Sequence, residues 1–373
     1  MGKIRIGITG QNGFVGTHLF NYLKLFDHVD IVPFERDYFS DEVKMHQFVK
    51  DCEVIVHLAG LNRHENPQVI YDTNTALVKS IISACEDQSV TPHIIFSSST
   101  QEESENPYGK SKLEGRLAFE AWATRSRSKV TGLVIPNVFG PFGKPFYNSV
   151  IATFCHQLNH NEEPSLNIDK EISLIYVNEL IEEIYTIICD KTGLSGRYIV
   201  FQTKSITVSQ ILTILKGFKE EYLEKGIIPH LDDPFIKALF NTFRCYIPVN
   251  YYPRPFIIHA DARGMFVEVA KTNTSGQTSY STTHSGVTRG NHFHTRKAER
   301  FAVIKGRAKI QLRKIGTSKV IEYTLDGSSP SYVDMPVWYT HNITNIGKEE
   351  LLTIFWINEP FDSKDPDTYF EAV

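Results

Sequence analysis

Three groups of residues in this 373-residue chain have types and spacings that can do chemistry. The first is Thr9-Gly10-Gln11-Asn12-Gly13-Phe14-Val15-Gly16, with glycines at 10, 13 and 16. Glycine permits a tight turn and lets the backbone approach a pyrophosphate at the positive end of a helix. The second group is Tyr108 and Lys112. On a helix, residues i and i+4 share a face, so the phenol and the ammonium can converge. A phenol titrates at about 10 when unperturbed, and a nearby cation is expected to move it toward working pH. Such a phenol can give its proton to a ketone oxygen while the carbon receives hydride. Ser97-Ser98-Ser99 lies just upstream and supplies a hydroxyl partner. The third group is His292-Phe293-His294, Glu299 and His341. On a strand, i and i+2 point to one side, so His292 and His294 are expected to share a face. Glu299 is expected to return on the neighbouring strand, and His341 can supply a fourth ligand. Three imidazoles and a carboxylate suit zinc, iron, manganese or nickel.

These groups need elements to hold them. Ile4–Thr9 reads as a strand running into the glycine turn, and Phe14–Phe26 as a helix. Asp30–Pro33, Val54–Leu58, Ile94–Phe96 and Val130–Ile135 read as further strands, and Tyr108–Arg125 as a long helix. Strands alternating with helices imply a parallel sheet covered on both faces. Leu174–Tyr176 and Tyr198–Phe201 read as strands. Asn178–Cys189 and Thr207–Glu224 read as helices, the second capped by Thr207. After the proline-rich stretch Pro248–Pro255 the pattern becomes short strands between Gly, Asn and Pro turns, an all-β barrel. The expected domains are therefore 1–250 and 251–373.

At the end of the second strand stands Phe34-Glu35-Arg36. An acid here suits a ribose 2′-hydroxyl, and an arginine suits a 2′-phosphate. Both are present, and Arg36 tips the expectation to NADPH. Hydrophobic residues are 41% and charged residues 22%, with a net charge of −4. That balance excludes a disordered chain and gives no basic surface for nucleic acid. No run reaches the roughly 20 apolar residues that span a bilayer. Cys52, Cys85, Cys155, Cys189 and Cys245 are odd in number and form no CxxC, which reads as reduced thiols in cytosol.

The glycine loop, His57-Leu58-Ala59-Gly60, Ser97–Ser99, Tyr108/Lys112 and Pro136-Asn137-Val138-Phe139-Gly140-Pro141 together resemble an extended short-chain dehydrogenase/reductase. Nucleotide-sugar epimerases and reductases belong to that group. The resemblance implies a Rossmann-type, doubly wound α/β domain. It makes Tyr108 the acid/base, has Lys112 orient the ribose and tune Tyr108, and lets Ser99 polarise the carbonyl. The cofactor would touch Gly10, Asn12, Gly13, Phe14, Val15, Gly16, Arg36, Leu58, Ala59, Gly60, Tyr108, Lys112 and Asn137. The interval from Ser99 to Tyr108 is shorter than usual in the group, which trims a loop of the substrate site.

Gly286, His292-x-His294, Glu299, Gly306 and the later Pro336-x4-His341-x3-Asn345 resemble the two cupin (jelly-roll) motifs. Trp338 stands where that family usually has glycine. Asp261-Ala262-Arg263-Gly264-Met265-Phe266-Val267-Glu268 and Arg289-Gly290-Asn291-His292 are similar to sugar 3,5-epimerases of deoxyhexose pathways. In those enzymes the counterpart of His292 is a base. Here it belongs to HxH and is expected to bind metal, which leaves the base unassigned.

A reductase followed by a metal cupin resembles the bifunctional enzymes of capsule and O-antigen assembly. That resemblance implies a UDP-2-acetamido-2,6-dideoxy-4-ketohexose substrate. The cupin would epimerise C3, and the reductase would then reduce C4 with NADPH to a UDP-2-acetamido-2,6-dideoxy-L-talose, toward UDP-N-acetyl-L-fucosamine. It also implies a zinc ion on His292, His294, Glu299 and His341, and a cytoplasmic homodimer. Two competing readings are a nucleotide-sugar ketoreductase with a structural barrel and a non-enzymatic NADP sensor. Intact Ser99, Tyr108 and Lys112 argue against the sensor.

Overall fold

A computed structural model describes the chain apart from residues 1, 167, 191–192, 257, 262–263, 268, 273–275 and 360–361. The first half alternates strands and helices. They are β1 (Ile4–Thr9), α1 (Phe14–Leu23), β2 (Val29–Val32), α2 (Glu42–Asp51), β3 (Val54–His57), α3 (Pro67–Asp87), β4 (His93–Ser99), α4 (Pro107–Ser126) and β5 (Val130–Ile135). Then come β6 (Asn137–Phe139), α5 (Val150–Asn159), β7 (Glu171–Tyr176), α6 (Val177–Cys189), β8 (Gly196–Ile199), β9 (Lys204–Thr207), α7 (Val208–Phe218) and later α8 (Pro234–Arg244).

β2-β1-β3-β4-β5-β8 form one sheet, and every pairing in it is parallel. Its inner strands are largely apolar where helices cover both faces; Ile6, Ile8, Ile55, Ile94 and Ile95 are fully buried. From β1 the chain passes to β2 on one side and to β3 on the other. In such sheets the ligand crevice opens at the carboxyl ends of the strands beside that reversal. Thr9, the last residue of β1, pairs there with His57, the last of β3. β6, β7 and β9 form a separate three-stranded sheet.

Several helices start on polar caps. Asp41 accepts from the Lys44 amide, Asn66 from Gln68, Asn106 from Gly109, and Asp233 from Phe235 and Ile236. Each such cap contributes about 1 kcal/mol. α2, α3, α5 and α8 fall where the sequence analysis assigns no element. The expected helix over 207–224 divides into α7 and a π-turn, Lys219–Glu224. Thr207 is the last residue of β9 and directly precedes α7, whose Ser209 amide donates to Asp169.

The β-rich portion is two five-stranded sheets. One runs Arg254–Pro255, Ser331–Met335, Glu299–Lys305, Leu351–Ile357, Gln277–Thr283. The other runs Val320–Asp326, Arg307–Lys314, Tyr339–Asn345, Thr288–Phe293, Tyr369–Phe370. All their pairings are antiparallel. Val303, Ala308, Ile310, Val333 and Leu351 fill the space inside. This is the expected jelly-roll class.

The chain packs as two compact units that divide elsewhere than at residue 250. One comprises Met1–Phe139, Gly143–Val150 and Lys170–Thr207; the other comprises Gly140–Phe142, Ile151–Asp169 and Val208–Val373. α8 belongs with the barrel's unit: its Asn241 amide donates to the Arg296 carbonyl and its Arg244 to the Met335 carbonyl, while Phe240 and Phe243 pack on Phe218 of α7. The five cysteines are free thiols. Among the described residues no helix is long and apolar enough to cross a membrane.

Candidate active site and candidate metal centre

In the first unit the glycine loop lies at the reversal between β1 and β3. Gly10 has φ +76°, and a side chain there would come within 2.7 Å of the Ala59 amide nitrogen. A Cβ on Gly16 would lie 2.2 Å from the Gly10 carbonyl oxygen. Both positions therefore require glycine, and the Leu58–Gly60 turn lies directly against the loop. Gly13 caps α1 without a side chain, leaving the first-turn amides of Phe14, Val15 and Gly16 free of intrahelical acceptors. A cradle of backbone N–H groups with no Cβ in the way fits a pyrophosphate. Gln11 donates to the Phe34 carbonyl at 2.9 Å and ties the loop to the end of β2. Arg36 opens a short 3₁₀ turn there and is exposed, as is Asn12.

Tyr108 stands in the first turn of α4, behind Asn106. A Cβ on Gly109 would lie 2.0 Å from the Gln101 carbonyl oxygen, so glycine lets α4 seat against the turn that follows Ser99. Ser99 hydrogen-bonds the Tyr108 side chain. Burial outweighs that bond and holds the phenol above its ordinary value. This corrects the expected downward shift. Lys112 Nζ is 5.7 Å from the centre of the Tyr108 ring and is committed to the Ser97 carbonyl oxygen at 2.9 Å. Burial lowers Lys112 itself to about 8. A Cβ on Gly60 would lie 3.4 Å from Lys112 Nζ, so the lysine and the Leu58–Gly60 turn meet.

Two supporting residues have no motif that marks them in the sequence. Asn74, buried on α3, accepts from the Leu61 amide (2.7 Å) and donates to the Leu61 carbonyl (2.9 Å) and to Ser111 Oγ (3.0 Å). It pins the turn after β3 to the Tyr108 helix. Glu102, also buried, accepts from Ser98 Oγ at 2.6 Å, from Arg116 Nε at 3.0 Å and from Arg197 Nε at 2.9 Å. Those bonds clamp the segment between Ser99 and Tyr108. Asn137 is exposed and donates to the Ser173 carbonyl at 3.2 Å; no hydrogen bond among the described residues joins it to Tyr108 or Lys112.

In the second unit His292, His294, Glu299 and His341 bring their ligand atoms within 4.8 Å of one another. His292 is the register partner of His341 on the adjacent strand. Glu299 is not on a neighbouring strand of the same sheet, as expected, but on the facing sheet, so the cluster bridges the barrel. A bulge at Gly290–Asn291, with φ of +98° and +58°, turns His292 to this side. His294 lies just beyond the strand end, with its ring centre 5.0 Å from that of His292.

Each supporting bond leaves a lone pair facing inward. His294 Nδ1 donates to the Asp367 carbonyl at 2.5 Å, and His341 Nδ1 donates to the Tyr339 carbonyl at 3.2 Å. A carbonyl can only accept, so both rings present an unprotonated Nε2 when neutral. These Nε2 atoms lie 3.2 and 3.0 Å from Glu299 Oε2, yet all three atoms are buried without a directed hydrogen bond among the described residues. They converge on a point rather than on one another, which fits a divalent cation. Burial, then His341 and His294, push His292 down to about 4. Burial opposes ionisation of Glu299, but His294 and His341 hold its carboxyl below the usual range.

Asp367 is a further residue that the sequence left unmarked. Its carboxylate accepts from the Thr295, Arg296 and Lys297 amides at 3.1, 3.0 and 3.0 Å. Trp338 has φ +60°, the backbone that glycine usually supplies, and its amide donates to the His294 carbonyl at 2.8 Å. The turn thus survives the departure from the cupin pattern. Arg263 and Glu268 of the epimerase-like segment lie outside the described residues; around them Ile258–Asp261 pairs with Gly264–Val267 as a hairpin.

The sequence model of the NAD dependent epimerase/dehydratase family matches residues 6–200. That of the Polysaccharide biosynthesis C-terminal domain matches residues 259–369. A UDP-2-acetamido-2,6-beta-L-arabino-hexul-4-ose reductase of Pseudomonas aeruginosa is 32% identical over 368 residues, 98% of either chain. Capsular polysaccharide assembling protein CapF from Staphylococcus aureus is 36% identical, with a TM-score of 0.64 over 99% of this chain and 100% of that one. RMD from Pseudomonas aeruginosa, complexed with NADPH, shares the fold of the first part at 18% identity and a TM-score of 0.53, over 58% of this chain and 83% of that one.

Proposed function

The chain belongs to the NAD dependent epimerase/dehydratase family, and from that premise we propose that it is a bifunctional nucleotide-sugar enzyme of polysaccharide biosynthesis. Its barrel epimerises C3 of a UDP-2-acetamido-2,6-dideoxy-4-ketohexose. Its first unit reduces C4 with NADPH to UDP-2-acetamido-2,6-dideoxy-L-talose, toward UDP-N-acetyl-L-fucosamine. The observation that carries the reading is one chain holding both a Ser99–Tyr108–Lys112 set, with Ser99 and Lys112 buried, and a His/Glu cluster aimed at one point. Similarity to a hexulose reductase and to a capsular polysaccharide protein over nearly the whole chain supports the pairing. The functional modules proposed are 1–250 and 251–373.

For reduction, the Gly10–Gly16 loop and the α1 amides hold the cofactor's phosphates, and exposed Arg36 selects the 2′-phosphate. NADPH, when bound, supplies the hydride. Ser99 Oγ hydrogen-bonds the C4 oxygen and holds it beside Tyr108. Tyr108, kept protonated by burial, transfers its phenolic proton to that oxygen as hydride reaches C4. Lys112 stabilises the resulting phenolate and orients the ribose.

For epimerisation, the C3 proton is acidic because it lies α to the C4 ketone. His292, His294, Glu299 and His341 would hold a divalent ion, zinc in this proposal. The ion would supply charge stabilisation for the ketone oxygen as the proton leaves. The order is set by chemistry: reduction removes the ketone that makes C3 exchangeable, so epimerisation comes first. The free thiols agree with a cytosolic site of action, and the proposal includes a homodimer, which light scattering tests.

The test is NMR of the product formed from the 4-keto UDP-sugar in deuterated water, with and without NADPH. Deuterium at C3 in both arms, and a C4 alcohol only with NADPH, is the expected result. A C4 alcohol bearing no deuterium at C3 would reduce the chain to a ketoreductase with a structural barrel.

A further inference from the structure

Beneath the barrel strands that carry the His/Glu cluster, a different charged group is buried. Arg244, the last residue of α8, and Arg300, on Glu299–Lys305, are only 5% and 3% exposed. Arg300 grips Asp334 with both ends of its fork, Nε to Oδ1 at 2.8 Å and Nη2 to Oδ2 at 3.1 Å. The Tyr252 hydroxyl donates to the same Oδ2 at 3.1 Å. Asp334 is thereby taken. Arg244 has no such partner. Its Nη2 reaches the Met335 carbonyl at 3.4 Å, it touches the neutral Tyr252 hydroxyl, and its Nε has no protein acceptor among the described residues. The Tyr222 ring is shared by the two guanidinium groups, 5.7 and 5.8 Å from their central carbons.

Charge does not balance within this group. Arginine stays protonated in proteins, so two cations face one carboxylate. The carbonyl end of α8 offers roughly half a negative charge, which leaves the sum positive. Aromatic faces attract a guanidinium but do not neutralise it. An isolated buried cation is costly unless it is paired.

Arg244 lines a partly open pocket of about 40 Å³, together with Tyr252, Asp334, Tyr323, Tyr339 and Leu312. A single water needs about 10–15 Å³ of such space. The space beside Arg244 therefore has room for a small ion or for a few water molecules. We propose that this cavity is a binding site for a small monovalent inorganic anion of the chloride class, held by the Arg244 guanidinium. The site is independent of the proposed reductase and epimerase chemistry.

The experiment uses the full chain. Melting temperature is measured in potassium chloride and in potassium gluconate at equal ionic strength, since gluconate is too large to enter. Crystals are also soaked in bromide for anomalous diffraction. The expected results are a chloride-dependent rise in Tm on the order of 5 °C, absent in Arg244→Met, and a bromide peak in contact with the Arg244 guanidinium. A chloride increment that survives in Arg244→Met overturns the assignment. If Arg244→Met does not fold, the bromide map of the unmodified chain decides alone: a cavity without an anomalous peak at saturating bromide shows that water fills it, and the proposal fails.

Discussion

Tyr108 and Lys112 are shifted by burial in opposite senses, and the two shifts assign them different work. The phenol, held above its ordinary value, is an acid throughout the neutral range. Tyr108→Phe should lower ketone reduction by about 10²–10⁴-fold while NADPH binding, followed by fluorescence, persists; wild-type turnover in that variant would remove Tyr108 from the mechanism. Lys112, lowered to about 8, loses its charge above that pH in the folded chain. kcat/KM for NADPH should therefore fall as pH rises through about 8, and Lys112→Arg should displace that limb. Stability should move the other way. An unfolded lysine keeps its proton to about 10.4, so between pH 8 and that value the unfolded state binds more protons. Lys112's contribution to ΔG of unfolding then rises with pH across that window. Urea titrations of wild type and Lys112→Met across it measure the difference.

Elements set what these residues can reach. Gly109 lets α4 seat under the Gln101 carbonyl, so Gly109→Ala should push α4 outward and lower reduction more than NADPH affinity, a kcat loss with little change in cofactor Kd. The glycine loop, β1, β5, the Tyr108 helix and the convergence of the barrel's His/Glu cluster were legible in the sequence because period, glycine spacing and His/Glu spacing are local signals. α2 and α3 were not, because their buried stripes, Met45/Phe48/Val49 and Ile70/Val78/Ile81, are interleaved with many polar residues. Glu299's place on the facing sheet was not legible either, since sheet order depends on pairings far apart in the chain. Nor was Asp367, which acts through a strand-end turn about seventy residues from its partners. Its bonds to the 295–297 amides make it a positioning residue. Asp367→Ala should weaken zinc binding by about 10–100-fold, measured by competition with a chromophoric chelator, while leaving NADPH affinity unchanged.

At the scale of the whole molecule, neither compact unit is a continuous stretch of chain. A cut at residue 250 would strip the barrel from α8, break the Asn241–Arg296 and Arg244–Met335 bonds and uncover the buried Arg244, so fragment 1–250 should melt well below the full chain. Point variants separate the two activities more cleanly. His292→Ala in the full chain should lose metal and C3 exchange together and still reduce a ketone already epimerised at C3; full exchange in a verified metal-free protein would make the ion structural. The Asp367 clamp also has a consequence for synthesis. His294 receives its carbonyl partner from a residue 73 positions later. At 5–20 residues per second, a ribosome takes about 4–15 s to cover that interval. During that time the parallel sheet is already off the ribosome, while His294 stands in nascent chain with its Nδ1 proton uncommitted; His341, whose partner carbonyl is two residues upstream, does not wait. Either nitrogen of that ring is then open, and only the arrival of Asp367 fixes Nε2 as the one turned toward Glu299.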